Sequence, residues 1–331
     1  MIRKILGKTK RFFTQDVSIN EDKSPDSKTL NKLINKASPT RQIRSLSNKQ
    51  LAKSDETLHY LNMVKNGMTV KTGEHEALTR IFTGQKMYVD TRDISVAPHL
   101  MMEGHWENGI TRVFQDTVKE GDTVLDIGAN FGYFGVVAGS QVGRSGKVLL
   151  VEANKHLVPY IEKSLSVNGL DSFSDVYNVA IGDKEGKLKL NILEGYMGSS
   201  SVLESSDEIL EKFHTRIDKS EEVRATSVDI LCRENGIKKV DVIKIDIEGY
   251  EDVAYGGMKN TVKNSPKLKI FLEFTGGSYT KPKDFFNRLS KDFKYISYIK
   301  EDSGLVSVDS YERLEELSAG DWAMILLTNE L

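Results

Sequence analysis

Apolar positions along the chain follow two spacings. Thr123, Val124 and Leu125 form a short β-prone run after the turn Glu120-Gly121-Asp122. From about Phe131 the small apolar residues Phe134, Gly135, Val136, Val137 and Ala138 read as a helix. Lys147 to Glu152 reads as a second strand, Leu157 to Val167 as an amphipathic helix stopped at Asn168-Gly169, and Val176 to Ala180 as a third strand. Lys187 to Leu193 predicts an added strand, Gly195 to Ser201 a flexible hydroxyl-rich loop, and the highly charged stretch 204–222 a helical surface insertion. Glu222 to Thr226 returns as a strand, followed by a helix from Val228 to Glu234. Between Val240 and Gly249, Ile243, Ile245 and Ile247 alternate with Lys244, Asp246 and Glu248, the period-two pattern of an extended chain. Lys269 to Phe274 is a fifth strand, Asp284 to Lys291 a helix, and Tyr295 to Lys300 and Ala323 to Thr328 are the last two strands. Strands alternating with helices imply an α/β fold whose mostly parallel sheet has helices on both faces. The final pair lacks a full crossover, which predicts one antiparallel member.

Ahead of this pattern, Leu78 to Thr83 and Lys86 to Asp90 predict a hairpin around Gly84-Gln85. Ser54-Asp55 caps a helix to about Lys65, and another helix runs to about Lys119. The expected organisation is a basic arm and linker over 1–53, helices and a hairpin covering the site over 54–122, and the main domain over 123–331. If residues 2–13 are helical, Ile2, Ile5, Leu6, Phe12 and Phe13 fall on one face and Arg3, Lys4, Lys8, Lys10 and Arg11 on the other. Such a helix suits an anionic membrane surface, and a disordered tail or a helix docked on this protein or a sister subunit fits the same residues.

Charge sharpens this division. Residues 1–53 hold 13 Lys+Arg and 4 Asp+Glu, a net of +9, so the chain total of −2 leaves −11 for the rest. An acidic body argues against nucleic acid as a partner. The single cysteine, Cys232, excludes an intramolecular disulfide and reads as a small buried residue. No stretch approaches the roughly 20 apolar residues of a membrane span, and the first residues lack the apolar centre of a signal peptide. A cytoplasmic protein is expected, with residues 1–13 available for peripheral membrane contact.

The chemistry concentrates at strand ends. Gly128, Gly132 and Gly135 have the spacing G-x-x-x-G-x-x-G, with Asp126 two residues earlier. This is not the G-x-G-x-x-G of dinucleotide sites. An acid there suits a cationic or hydroxyl-bearing ligand better than a pyrophosphate, although an ordinary strand-to-helix turn has the same look. Glu152 ends the second strand 26 residues later. An acid in that place either accepts hydrogen bonds from both hydroxyls of a ribose or merely caps a helix. Ile181-Gly182-Asp183, at the end of the third strand, is placed for the edge of an adenine to rest on. Asp246 and Glu248 are expected to reach the cleft. Lys244 pairs with a carboxylate beneath, and Glu273 is its natural partner or a second acid lining the site; a purely structural ion pair is the alternative. His99, His105 and Glu107 stand as further candidates for substrate or cofactor contact.

In this order the motifs Gly104 to Glu107, Asp126 to Tyr133, Val151 to Asn154, Asn168 to Leu170, Val179 to Asp183, Ser199 to Ser201, Asp241 to Gly249 and Phe271 to Phe274 resemble the FkbM family of S-adenosylmethionine-dependent methyltransferases. The resemblance runs from about Tyr88 to Gly276. It implies a Rossmann-like class I methyltransferase fold with a mixed seven-stranded sheet in the order 3-2-1-4-5-7-6, flanked by helices and preceded here by an N-terminal helical extension. It implies methyl transfer to a hydroxyl oxygen, often of a sugar or glycan. By position it sets Asp126, Gly128, Asn130 and Gly132 around the methionine part of the cofactor and Glu152 on the ribose. Glu107 matches the family's acid ahead of the first motif, and Phe134, Ala153, Ala180, Asp183 and Asp246 complete the expected cofactor set. The family's proline after the ribose acid is replaced by Ala153, which loosens that turn and leaves the acid in place. Asp246 is the expected anchor, and Glu248 or Glu273 the base, with a histidine in reserve. Several acids near one cleft also suit Mg²⁺, but the spacing specifies no ligand set and no metal site is assigned. An amino-group methyltransferase and a non-catalytic binding module on the same fold are the competing readings. The first lacks its Asn/Asp-Pro-Pro-aromatic signature, and the second predicts no cofactor binding.

Overall fold

The structure, a computed structural model, describes residues 69–203 and 215–330. The basic arm, the helix expected after Ser54 and most of the charged insertion lie outside the described residues. The main sheet has eight strands: β4 (Thr123–Ile127), β5 (Lys147–Val151), β6 (Ser174–Tyr177), β11 (Val242–Ile245), β12 (Lys269–Thr275), β13 (Tyr295–Ile299), β14 (Leu305–Ser307) and β15 (Trp322–Thr328). Their order is β14-β13-β15-β12-β11-β4-β5-β6. Without the short edge strand β14, this is the 3-2-1-4-5-7-6 order implied by the family resemblance. β15 runs antiparallel to both β12 and β13, as the missing crossover predicts.

The strands of the sheet centre are apolar on both faces apart from Asp126, Lys244 and Glu273, because helices cover both. On one side α2 (Asn108–Thr117), α3 (Tyr133–Val142) and α4 (Val158–Val167) pack over Val124, Val148, Leu150, Val242 and Phe271. Phe114 lies edge-on to both Phe134 and Phe271, with centroids 5.2 Å apart in each pair. On the other side α5 (Val228–Glu234), α6 (Glu251–Gly256) and α7 (Pro282–Asp292) cover Leu125, Ile127, Ile243, Ile245 and Leu272. Helix α3 is small and apolar nearly all round because it lies buried directly on β5; a Cβ at Gly135 would overlap Leu150.

A three-stranded sheet, β1 (Thr69–Lys71), β2 (Glu76–Arg80) and β3 (Lys86–Asp90), contains the expected hairpin. It docks on α4 through Asn168, whose side chain both donates to Lys86 O (2.6 Å) and accepts from its N–H (2.9 Å). Helix α1 (Ala97–Met102) leads on to α2.

Three expectations are corrected. The third strand stops at Tyr177; Ala180 and Ile181 leave the main sheet as β7, which pairs with β10 (Ile217–Thr226). Residues 217–222 are therefore strand rather than surface helix. Asp218, Lys219 and Glu222 stay exposed, Glu221 is half-buried, and Ala225 and Thr226 turn inward at the far end. The expected loop from Gly195 is strand β9 (Tyr196–Ser201), the edge of a four-stranded sheet ordered β7-β10-β8-β9, where β8 is Gly186–Leu193. β9 has no apolar alternation, and hydrogen bonds from neighbouring elements hold it instead.

Candidate active site

The carboxyl ends of β4, β5 and β11 open onto one cleft of about 520 Å³, counted out to its mouth. One wall is apolar: Ile127, Val151, Val179, Ile181 and Leu190. The polar groups are Glu152, Ser200, Asp246 and Glu248, with Tyr250 at the rim. A second lobe of about 360 Å³ shares Gly128, Gly198 and Asp246 with the first and adds Asn130, Lys244 and the rings of Trp106, Phe131, Tyr133 and Phe134. The glycine turn forms the partition. Gly128 has φ +79°, and a Cβ there would overlap the Asp246 carbonyl oxygen. Only glycine allows β4 and β11 to meet so closely at this point.

Glu152 sits at the end of β5, nearly buried. Its Oε2 accepts the Asn130 N–H at 2.7 Å and its Oε1 the Asn154 N–H at 2.8 Å. Burial pushes its carboxyl up to about 7 against these two bonds, and nearby Asp126 adds to the rise. Each oxygen keeps a lone pair for a further donor, such as a hydroxyl of a bound nucleoside. Asp126 is buried beneath the turn. Burial pushes it up to about 6, while Lys244 and the Gly135 N–H pull the other way. Asn130 holds φ +55° and its Oδ1 accepts no hydrogen bond among the described residues, so one buried acceptor remains for a ligand donor in the second lobe.

The β11 strand delivers the opposite wall. Lys244 lies in register between Asp126 on β4 and Phe271 on β12. Its ammonium is 3.0 Å from Asp246 Oδ2 and 4.6 Å from the centre of the Phe134 ring. Glu273, two residues beyond Phe271, shares that face of the sheet; it is fully buried and lines neither lobe. Glu248 lines the cleft with φ +58°. Five non-glycine residues with positive φ occur among the described residues; Asn130 and Glu248 line the cleft, and Glu107 (φ +49°) follows the lining residue Trp106. Strained backbone of this kind gathers where a site dictates geometry.

The expected site residues thus divide. Gly128, Asn130, Phe134, Glu152, Ala153, Ala180, Lys244, Asp246 and Glu248 line the two lobes. Asp126 and Gly132 lie just behind the lining, and Glu107 is buried at the start of α2. Asp183 is exposed and outside it. His99 and His105 both turn to Glu103, at 3.3 and 3.8 Å, and neither lines the cleft. Among the described residues no three His, Cys, Asp or Glu side chains are grouped to hold a metal ion.

Strand β9 crosses the mouth as a strap. Its Met197 N–H donates to Asp93 (3.1 Å), Asn154 Nδ2 donates to Met197 O (3.3 Å) and Ser200 Oγ (3.2 Å), and Ser201 Oγ donates to Glu248 O (3.2 Å). Gly198 lies so close to the Asn130 amide that a side chain there has no room. The sequence assigns no role to Asp93, Asn154 or the strap. Asn154 and Ser199 to Ser201 stand only within motifs of the family resemblance, and the polar run Gly195 to Ser201 marks hydroxyl content without a hint of what it crosses.

The chain is similar in fold to solved methyltransferases of low identity. With the FkbM methyltransferase of Methylobacillus flagellatus it shares 12% identity at a TM-score of 0.37, covering 69% of this chain and 52% of that one, about half its length. With an S-adenosylmethionine-dependent O-methyltransferase of Thermotoga maritima the figures are 15%, 0.35, 80% and 86%. With the O-methyltransferase TomG of Streptomyces achromogenes, solved with S-adenosylmethionine, they are 9%, 0.38, 68% and 79%. No curated protein matches. Residues 39–198 match the protein-L-isoaspartate(D-aspartate) O-methyltransferase domain. Residues 126–297, more than half of the chain, from the end of β4 into β13, match the methyltransferase FkbM domain, and the protein belongs to that family of S-adenosylmethionine-dependent methyltransferases.

Proposed function

We propose that the enzyme methylates a hydroxyl oxygen of a sugar, a glycan or a related small metabolite. The observation that carries this reading is the pair of carboxylates, Asp246 and Glu248, lining the same cleft as Glu152. A hydroxyl must lose its proton as it attacks, and a carboxylate at the cleft wall is the group to take it.

The cofactor fits the residues present. Glu152 offers two oxygens to ribose hydroxyls, Val179, Ala180 and Ile181 flank a flat base, and the glycine turn admits the amino-acid end beside Asn130. When bound, S-adenosylmethionine supplies an electrophilic methyl carbon on a sulfonium cation. Asp246 anchors the ligand on the opposite wall and is itself held by Lys244 at 3.0 Å. Glu248 takes the hydroxyl proton. Glu273 lines neither lobe and is set aside as the base. The strap excludes water from the transfer path.

Transfer of labelled methyl from S-adenosylmethionine to fractionated glycans, glycolipids and small metabolites tests the acceptor class: label is expected in hydroxyl-bearing products that resist mild base. Asp246→Ala is expected to lower both cofactor affinity and turnover by more than about tenfold, as loss of a charged hydrogen-bonding group predicts. Unchanged binding and turnover in that variant would sink the site assignment.

A further inference from the structure

The turn between β11 and α6 carries Asp246 and Glu248, and its backbone is costly to hold. Glu248 and Gly249 have φ +58° and +96° in succession. One side chain spans this turn from below. Glu251, the first residue of α6, is fully buried. Its Oε1 accepts the Ile247 N–H at 2.9 Å and the Gly249 N–H at 3.2 Å, the two amides on either side of Glu248. Its Oε2 is 2.8 Å from the Tyr279 hydroxyl. Tyr279 in turn accepts the Thr275 N–H at 3.1 Å and lies 3.1 Å from the Glu273 carbonyl oxygen. From above, Ser201 Oγ on the strap donates to Glu248 O. Gly249 packs so tightly that a Cβ would come within 2.5 Å of Ser278. Glu251 itself lines neither lobe.

We propose that Glu251 is the positioning residue of the acidic turn: by binding the amides of Ile247 and Gly249 it fixes the strained backbone between them and aims Glu248 into the cleft. The proposal rests on the reading of Asp246 and Glu248 as the acceptor-side wall. A neutral carboxyl satisfies every group in the network. Oε1 accepts two N–H groups, a proton on Oε2 goes to the Tyr279 oxygen, and the Tyr279 proton goes to the Glu273 carbonyl. Burial and the neighbouring Glu273 side chain push Glu251 up to about 8, in keeping with that count. Glutamine reproduces the same pattern, with its carbonyl on the two amides and its NH₂ on Tyr279. Aspartate keeps the carboxyl and loses the reach. Alanine leaves two buried N–H groups without an acceptor.

Calorimetry of the full chain with S-adenosylhomocysteine separates these cases, because Asp246, Ile247 and Glu248 all line the cleft. Glu251→Gln is expected within about threefold of the parent affinity, and Glu251→Asp and Glu251→Ala at least about tenfold weaker. Amide exchange at Ile247 and Gly249 should quicken in the latter two while β11 stays protected. Parent-like affinity in Glu251→Asp overturns the proposal, as does a Glu251→Gln variant as weak as Glu251→Asp. This contrast decides even where the alanine variant does not fold. Asp246→Ala run alongside keeps the two readings apart. Full binding in Asp246→Ala removes the site reading itself; lost binding there with none lost in Glu251→Asp removes only the positioning role.

Discussion

Glu152 and Asp126 show how single residues at this site set its pH response. Both are pushed up by burial, to about 7 and about 6. An acid raised in the folded state keeps its proton after the unfolded chain has lost it. Folding stability of the free protein therefore falls as pH climbs from the ordinary carboxylate range toward 7. Ribose hydroxyls donate to the ionised form, so ligand binding at Glu152 must release that proton. Affinity for S-adenosylhomocysteine is expected to rise roughly tenfold between pH 6 and pH 8, with proton uptake by the buffer on binding. Glu152→Gln should bind more weakly and lose this slope; a flat parent profile between those pH values contradicts the ribose role. The acids at strand ends were readable in the sequence because period and spacing mark where a parallel strand stops. Asp93, Asn154 and Glu251 were not. Each acts by folding back on backbone amides of a turn whose shape only the folded chain defines.

Among the elements, the hairpin of β2 and β3 and helix α4 meet at one buried carboxylate. Asp90, at the end of β3, accepts from Arg92 Nε (3.0 Å) and Nη2 (2.6 Å), from the Arg92 N–H (2.9 Å) and from the Tyr160 hydroxyl (2.9 Å), with His156 Nε2 at 2.8 Å. Burial opposes its charge, but these donors outweigh burial and hold the carboxyl well below the usual carboxylate range. A depressed acid contributes stability above its unfolded pKa and loses it as pH falls through the folded one, so the hairpin should detach only in strong acid. Asp90→Asn is expected to lower stability by about 2 kcal/mol in denaturant unfolding at pH 7, as loss of hydrogen bonds to a charged group predicts, and to expose β2 and β3 to exchange before the main sheet. The hairpin itself was readable from two apolar runs around Gly84-Gln85. What pins it was hidden, since Asp90 and Tyr160 are 70 residues apart. The charged stretch before Glu222 misled for a related reason. Helix and exposed strand both place charges outward, and β10 is a strand because β8 lies beside it, with Glu222 opposite Lys189.

At the scale of the whole molecule, charge separates the chain into a basic arm of +9 and a remainder of −11. We infer that the arm brings the enzyme to an anionic membrane surface, where a glycolipid acceptor would be concentrated. No helix among the described residues is long and apolar enough to cross a membrane. Arg3, Lys4, Lys8, Lys10 and Arg11 each contribute roughly 1 kcal/mol near an anionic leaflet, and the apolar residues among them, Ile2, Ile5, Leu6, Phe12 and Phe13, add a shallow anchor. Neither part alone holds a protein of this size, and the attraction between them and the lipid fades within a Debye length of about 8 Å at physiological salt. The full chain is therefore expected to float with phosphatidylserine-containing vesicles, to stay behind with neutral ones, and to be released by raised salt. A chain lacking residues 1–13 should stay behind in every case while keeping its affinity for S-adenosylhomocysteine, because the described cleft uses nothing before Val96. Equal flotation of the two chains ends the membrane reading and returns the arm to a partner protein or to this protein's own surface.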